Sequence, residues 1–85
     1  MDEIDYEPVL SSKATAALLG LPKVRQSELI AVIRQLAALP THPGDYREKD
    51  HAGREVEYIL AGDFVIGFWA DNPVRELRIV EVDEV

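Results

Sequence analysis

The residues that could carry acid–base chemistry are one histidine and three arginines in the second half of the sequence. Histidine is the side chain whose ordinary pKa lies closest to neutrality, so it is the natural proton donor or acceptor. Basic groups around the histidine would stabilise negative charge on a substrate, and Glu57 could serve as the acidic partner of the histidine. The competing interpretation is that the histidine is an exposed turn residue. The candidate catalytic residues are His51, Arg47, Arg54 and Arg78.

The sequence gives little support for a metal site or a cofactor site. The sequence has no cysteine, which excludes disulfides and thiolate metal sites. The other available ligands match no known spacing; they are His42, His51, Asp45 and Asp50. The sequence also lacks a phosphate-binding glycine loop, a nucleophile elbow and a metalloprotease motif. We therefore predict no metal and no cofactor.

The charge balance disfavours a general nucleic-acid partner. The formal net charge is −7, and an acidic domain is repelled by phosphate backbones. Trp69 and Tyr58 could stack on a base, but their place in apolar strands favours a core or interface role. Arg78 shares its strand with Glu76 and Glu81, which predicts charge pairs before phosphate contacts.

The totals describe one small globular domain covering residues 1–85. Of the 85 residues, 47% are hydrophobic and 29% are charged, which is typical of a globular protein and not of a disordered one. No apolar run approaches the ~20 residues of a membrane helix, and no signal peptide opens the chain. Together with the absence of cysteine, this predicts a cytoplasmic protein without a membrane partner.

The stretch 54–82 predicts three strands, at residues 54–60, 64–70 and 74–82. The middle run is apolar at nearly every position, which predicts a central strand covered on both faces. A short strand is expected at 46–49. Another is expected at 4–10, where Pro8 indicates an edge position or a strand end.

Two helices are expected between the first strand and the others. The first covers residues 13–19, with Ser11 or Ser12 as its N-cap and Gly20 as its C-cap. The second begins near Pro22 and has an apolar stripe of Leu29, Val32, Ile33 and Leu36. We expect this stripe to pack on the sheet face that carries Val56, Tyr58 and Leu60. The fold class is α+β: an N-terminal strand, a two-helix hairpin, then an antiparallel meander of three to four strands, with the helices on one face.

This order resembles the RelE/ParE superfamily of type II toxin–antitoxin toxins, which includes plasmid-stabilisation proteins of bacteria. The resemblance covers nearly the whole chain. It is carried by the first strand at 6–10, the helix end at 36–40, the loop residues 43–45 and the hairpin at 61–68. The order and spacing of these segments carry the resemblance, since none of them is specific alone.

The resemblance implies a ribosome-dependent messenger RNA endoribonuclease with a basic cluster on the concave sheet face. The sequence departs from that pattern. Val65 stands where the family has an arginine after the hairpin aromatic, and the family's lysines fall near Glu55 and Glu57. We therefore expect a divergent toxin-module protein that acts through protein partners. The alternatives are an unusual ribonuclease using His51, Arg47, Arg54 and Arg78, and a stand-alone interaction domain.

The resemblance also implies the kind of partner. An antitoxin-like protein or a second copy of the chain is expected, while the acidic charge disfavours ribosomes and messenger RNA. The final strand carries apolar Leu77, Ile79, Val80 and Val82 among charged residues. We expect it to present an uncovered edge, which could pair with another chain.

Overall fold

A computed structural model describes residues 6–39 and 43–85 of the chain. In this part of the chain the elements follow in the order β1 (Glu7–Leu10), α1 (Ser12–Leu19), α2 (Lys23–Ala38), β2 (Tyr46–Lys49), β3 (Glu55–Ala61), β4 (Phe64–Asp71) and β5 (Glu76–Glu84). The α+β class and the expected order are confirmed. The beginning of the predicted first strand, at residues 4 and 5, lies outside the described residues.

The described strands form one mixed sheet in the order β1-β5-β4-β3-β2. The four later strands make an antiparallel meander, and β1 returns to pair with β5 in parallel. The expectation that the last strand is an uncovered edge is therefore wrong, because β5 lies between β4 and β1. The edge strands are β1, in which Pro8 lacks a backbone donor, and β2.

The helix boundaries follow from the capping residues. Ser11 is the N-cap of α1, and its side chain accepts a hydrogen bond from the backbone of Ala14 at 3.1 Å. Gly20 is the C-cap of α1, as predicted, and Pro22 is the N-cap of α2. At the last turn, residues Asn72–Val74 form a 3-10 helix and Arg75 has a φ of 55°, so β5 begins two residues later than expected.

Both helices pack on the same face of the sheet. The core joins Ala14 of α1 and Leu29 of α2 to Phe64, Ile66 and Phe68 of β4. We call this side of the sheet the helix face and the opposite side the open face. The expectation that β4 is covered on both faces is wrong, since the helices cover only one.

The helix stripe does not pack where the sequence suggested. Ile59 of β3 packs against the core, because Ile59 pairs with Ile66 and shares its face. Alternation along the strand then places Val56, Tyr58 and Leu60 on the open face. The predicted contact between the stripe and these residues is wrong. The two-residue turn after Ala61 fixes this register.

One arginine fastens the start of α2 to the β3–β4 turn. The guanidinium of Arg25 donates to Asp63 at 2.8 Å and to Glu84 at 3.1 Å, and it lies 5.3 Å from the ring centroid of Phe64. These hydrogen bonds, with Asp63 first, raise the pKa of Arg25 above its ordinary value. The contact joins α2 to the hairpin and to the end of β5.

Candidate functional site

The open face of the sheet is the candidate functional site, because the four strands β2 to β5 place aromatic and charged residues on it. At the β3–β4 hairpin, Leu60 lies opposite Val65, which lies opposite Asp83. In the next row, Tyr46 and Tyr58 are paired, followed by Gly67 and Glu81. Towards the other end, Trp69 lies opposite Arg78.

Two of the predicted catalytic residues meet at Trp69. The guanidinium carbon of Arg54 lies 4.1 Å from the ring centroid of Trp69, and that of Arg78 lies 5.9 Å from it. Both distances are within the range of a cation–π contact. Together with Ser11 and Val80, these residues line a small cavity of about 210 Å³ on the open face. The structure thus brings Arg54 and Arg78 together.

The other predicted residues lie elsewhere. Arg47 points to the helix face, where its Nε lies 3.0 Å from Glu57 and a terminal nitrogen lies 3.7 Å from Glu55. His51 is exposed in the turn between β2 and β3. His42, a candidate metal ligand, lies outside the described residues. Among residues 6–39 and 43–85, no three histidine or carboxylate side chains converge as metal ligands.

Asp50 builds the turn that carries His51. One carboxylate oxygen of Asp50 accepts hydrogen bonds from the backbone of Ala52 and of Arg54, both at 2.9 Å. These bonds, with Arg54 first, lower the pKa of Asp50. Gly53 completes the turn with a φ of 83°. The side chain of Asp50 and the backbone of Gly53 therefore set the geometry of this turn.

Three cations that reach the open face are each paired with a carboxylate. Arg78 lies 2.7 Å from Glu76 and 3.8 Å from Asp71, and Arg54 lies 3.6 Å from Asp50. The third such cation, the Lys13 ammonium, lies 3.6 Å from Glu81. These carboxylates offset the positive charge that would otherwise attract a phosphate.

A tyrosine network crosses the middle of the open face. The rings of Tyr46 and Tyr58 are stacked with centroids 5.1 Å apart, and the Tyr58 hydroxyl donates to Glu81 at 3.1 Å. Burial, and then the bond to Glu81, raises the pKa of Tyr58 to about 12. The phenol is therefore a proton-bearing structural group at neutral pH. Tyr46 was not singled out in the sequence analysis. A short turn at 50–53 pairs the strands on either side of it, and this pairing places Tyr46 opposite Tyr58.

Val65 lies on the open face, opposite Leu60 in the β3–β4 hairpin. Glu55 and Glu57, which we expected to bring negative charge to the site, point instead to the helix face and bind Arg47. Acidic residues in the hairpin half of the open face are Glu48, Glu81 and Asp83, while Asp71 and Glu76 lie at its other end. The expected negative charge is therefore present at the site, but other residues supply it.

A larger groove lies away from the open face. It has a volume of about 350 Å³ and runs between α2 and the β1 edge, with Tyr6, Leu10, Ile30 and Ile33 among its lining residues. Its lining is mainly apolar, and Arg34 is the basic residue in it.

No helix in the described residues is long and apolar enough to cross a membrane.

Comparison with solved structures agrees with this architecture. The chain is 16% identical to a chain of the toxin–antitoxin complex RelBE2 from Mycobacterium tuberculosis, over 96% of this chain and 100% of that chain, with a TM-score of 0.79. For the RelE–RelB complex of Pyrococcus horikoshii the values are 14% identity, 94% of each chain and a TM-score of 0.69. For the intact Escherichia coli RelBE complex the identity is 10%, over 94% of this chain and 96% of that chain, and the TM-score is 0.61.

No family model matches the sequence, and no curated protein matches it significantly. The structural likeness covers nearly the whole chain, so the predicted RelE-like fold is confirmed. At these identities it is a likeness of fold.

Proposed function

We propose that this chain is a RelE-like toxin-module protein that acts by binding a protein partner and lacks the usual ribonuclease site. The proposal is supported by the likeness of fold to chains of three toxin–antitoxin complexes. The observation that carries it is the chemistry of the open face. There, Val65 and Leu60 form an apolar surface, and the cations are held by carboxylates.

A ribonuclease of this kind needs basic groups that can neutralise a developing phosphorane. Arg54 and Arg78 are the two candidates on the open face, and both contact Trp69 and a carboxylate. Arg47 lies on the opposite face, and His51 lies in an exposed turn. The alternative of an unusual ribonuclease would therefore have to rest, among the predicted catalytic residues, on Arg54 and Arg78.

Co-expression with the proteins encoded beside the gene tests the proposed function. We expect one neighbour to co-purify in stoichiometric amounts and to stay bound during size-exclusion chromatography with light scattering, which corresponds to a Kd of about 1 μM or tighter. An unrelated small protein of similar charge serves as the control. A chain that purifies as a lone monomer from every such co-expression would contradict the proposal.

We expect no codon-specific cleavage of messenger RNA when the purified protein is added to a translation reaction. The reason is that Arg54, Arg78 and Lys13, which reach the open face, each form an ion pair with a carboxylate. An active ribosome-dependent toxin provides the positive control. Cleavage fragments that disappear in both Arg54→Ala and Arg78→Ala would contradict this expectation and favour the ribonuclease alternative.

A further inference from the structure

An exposed apolar patch occupies the hairpin half of the open face. Its members are Tyr46, Tyr58, Leu60 and Val65, and we refer to them as the apolar patch. Leu60 is 57% exposed and Tyr46 is 49% exposed, although neither lies at a chain end. Tyr46 lies opposite Tyr58, and Leu60 lies two residues along β3 from Tyr58 and opposite Val65. Exposed apolar side chains that adjoin one another mark a binding surface more often than isolated ones do.

The apolar patch is held rigidly by the sheet beneath it. The Tyr58 ring lies so close over Gly67 that a Cβ on Gly67 would come within 2.7 Å of it. The Tyr58 hydroxyl is fixed by Glu81, and its ring is fixed by the stack with Tyr46. Side chains ordered in this way lose little conformational entropy when a ligand binds. More of the free energy of apolar burial therefore contributes to affinity.

Acidic residues border the apolar patch on both sides. Glu48 lies on the β2 side, two residues after Tyr46, while Glu81 and Asp83 lie on the β5 side. None of the ion pairs among residues 6–39 and 43–85 includes Glu48 or Asp83. The negative potential is therefore largely uncompensated where a ligand would lie.

This border selects the chemistry of the occupant. A nucleic acid would place phosphates against Glu48 and Asp83, which costs electrostatic energy. A second copy of the chain, docked through the same face about a two-fold axis, would bring the acidic borders of both copies together. A segment with lysine or arginine beside apolar side chains satisfies the border and the apolar patch at the same time.

We propose that the apolar patch binds a short segment of a partner protein in which apolar side chains are flanked by lysine or arginine. This inference rests on the proposed function as a partner-binding module and specifies the surface and the chemistry of the partner. The apolar side chains lie on Leu60, Val65 and Tyr46. The basic side chains reach Glu48 on one side and Asp83 on the other.

A displayed library of random 12-residue peptides, selected on the purified full chain, tests this inference. We expect the enriched peptides to carry net positive charge together with apolar residues. Synthetic versions should bind with a Kd that rises at least tenfold in Leu60→Asp and several-fold in Asp83→Lys. Raising the salt concentration should weaken the binding of these peptides as well, because the contacts with the acidic border are exposed to solvent.

Leu19→Asp is the matched control, because Leu19 is 68% exposed on α1, away from the open face. It should leave peptide binding unchanged, and thermal unfolding verifies that both variants are folded. The inference is overturned if no peptide is enriched, if the enriched peptides are acidic, or if Leu60→Asp and Leu19→Asp behave alike. Leu60-dependent dimerisation or RNA binding by the wild-type chain would also overturn it.

The outcome can be separated from that of the proposed function. A neighbouring gene product that binds the wild-type chain and Leu60→Asp equally well would leave the toxin-module proposal standing and refute this docking surface. Basic peptides that require Leu60, with no binding partner among the neighbouring genes, would support the surface and refute the toxin-module proposal.

Discussion

Leu29→Ala is expected to lower the free energy of unfolding by about 2–5 kcal/mol, the usual range for a buried leucine that leaves a cavity. Leu29 is fully buried, with an exposed fraction of 0%, and it belongs to the core that joins α2 to Ile66 and Leu77. A domain of 85 residues has only about 5–15 kcal/mol in total, so much of its stability would be lost. Urea unfolding followed by circular dichroism measures the change.

Leu19→Ala is the matched control for this substitution. Both leucines are helical, but Leu19 is 68% exposed, so its replacement should change the free energy of unfolding by less than about 0.5 kcal/mol. Equal losses in the two variants would mean that α2 does not pack on the sheet through Leu29. Such a result would contradict the assignment of the helix face.

Gly67→Ala is expected to destabilise the domain by about 1–3 kcal/mol, as overpacking of a filled site does. An added Cβ would lie 2.7 Å from Cε2 of Tyr58, so the ring must move. Its movement would weaken the hydrogen bond to Glu81 and the stack on Tyr46. As Tyr58 becomes more exposed, its pKa should fall from about 12 towards the ordinary value. Urea unfolding and absorbance titration of the phenols measure these two changes.

Gly20→Ala provides the control for Gly67→Ala. The added Cβ there would meet Ala16 O at 3.4 Å and Ala17 O at 3.7 Å, and Gly20 already has right-handed helical angles, so the change should be neutral or slightly stabilising. In a Tyr58→Ala background, the cost of Gly67→Ala should also disappear, since the clash is removed. A cost that persists without the Tyr58 ring would locate its origin in the backbone instead.

Local signals in the sequence determined most of the elements. Ser11 fixes the start of α1, because its side-chain oxygen caps the first turn, and Gly20 lies at the C-cap position with right-handed helical angles. Asp50 and Gly53 make the turn before β3 for equally local reasons. These effects depend on a few neighbouring residues, so the α+β class and the element order could be predicted without tertiary information.

Only the tertiary structure decided which residues face the same way. Alternation shows that Val56, Tyr58 and Leu60 share a face of β3, but it does not show whether the helices cover that face. The choice is made by the register with β4, where Ile59 follows Ile66 into the core. Arg54 and Arg78 meet at Trp69 for the same reason, whereas Arg47 falls on the opposite face.

The position of β5 was also a tertiary outcome. The sequence shows an apolar strand near the end of the chain, but the pairing with β1 joins segments about seventy residues apart. Such a pairing depends on the free energy of closing a long loop and on the packing of α1 and α2, which place β1 beside β5. Local sequence contains neither quantity, and for that reason the acidic open face, its apolar patch and its paired arginines became visible only when the strands were placed side by side.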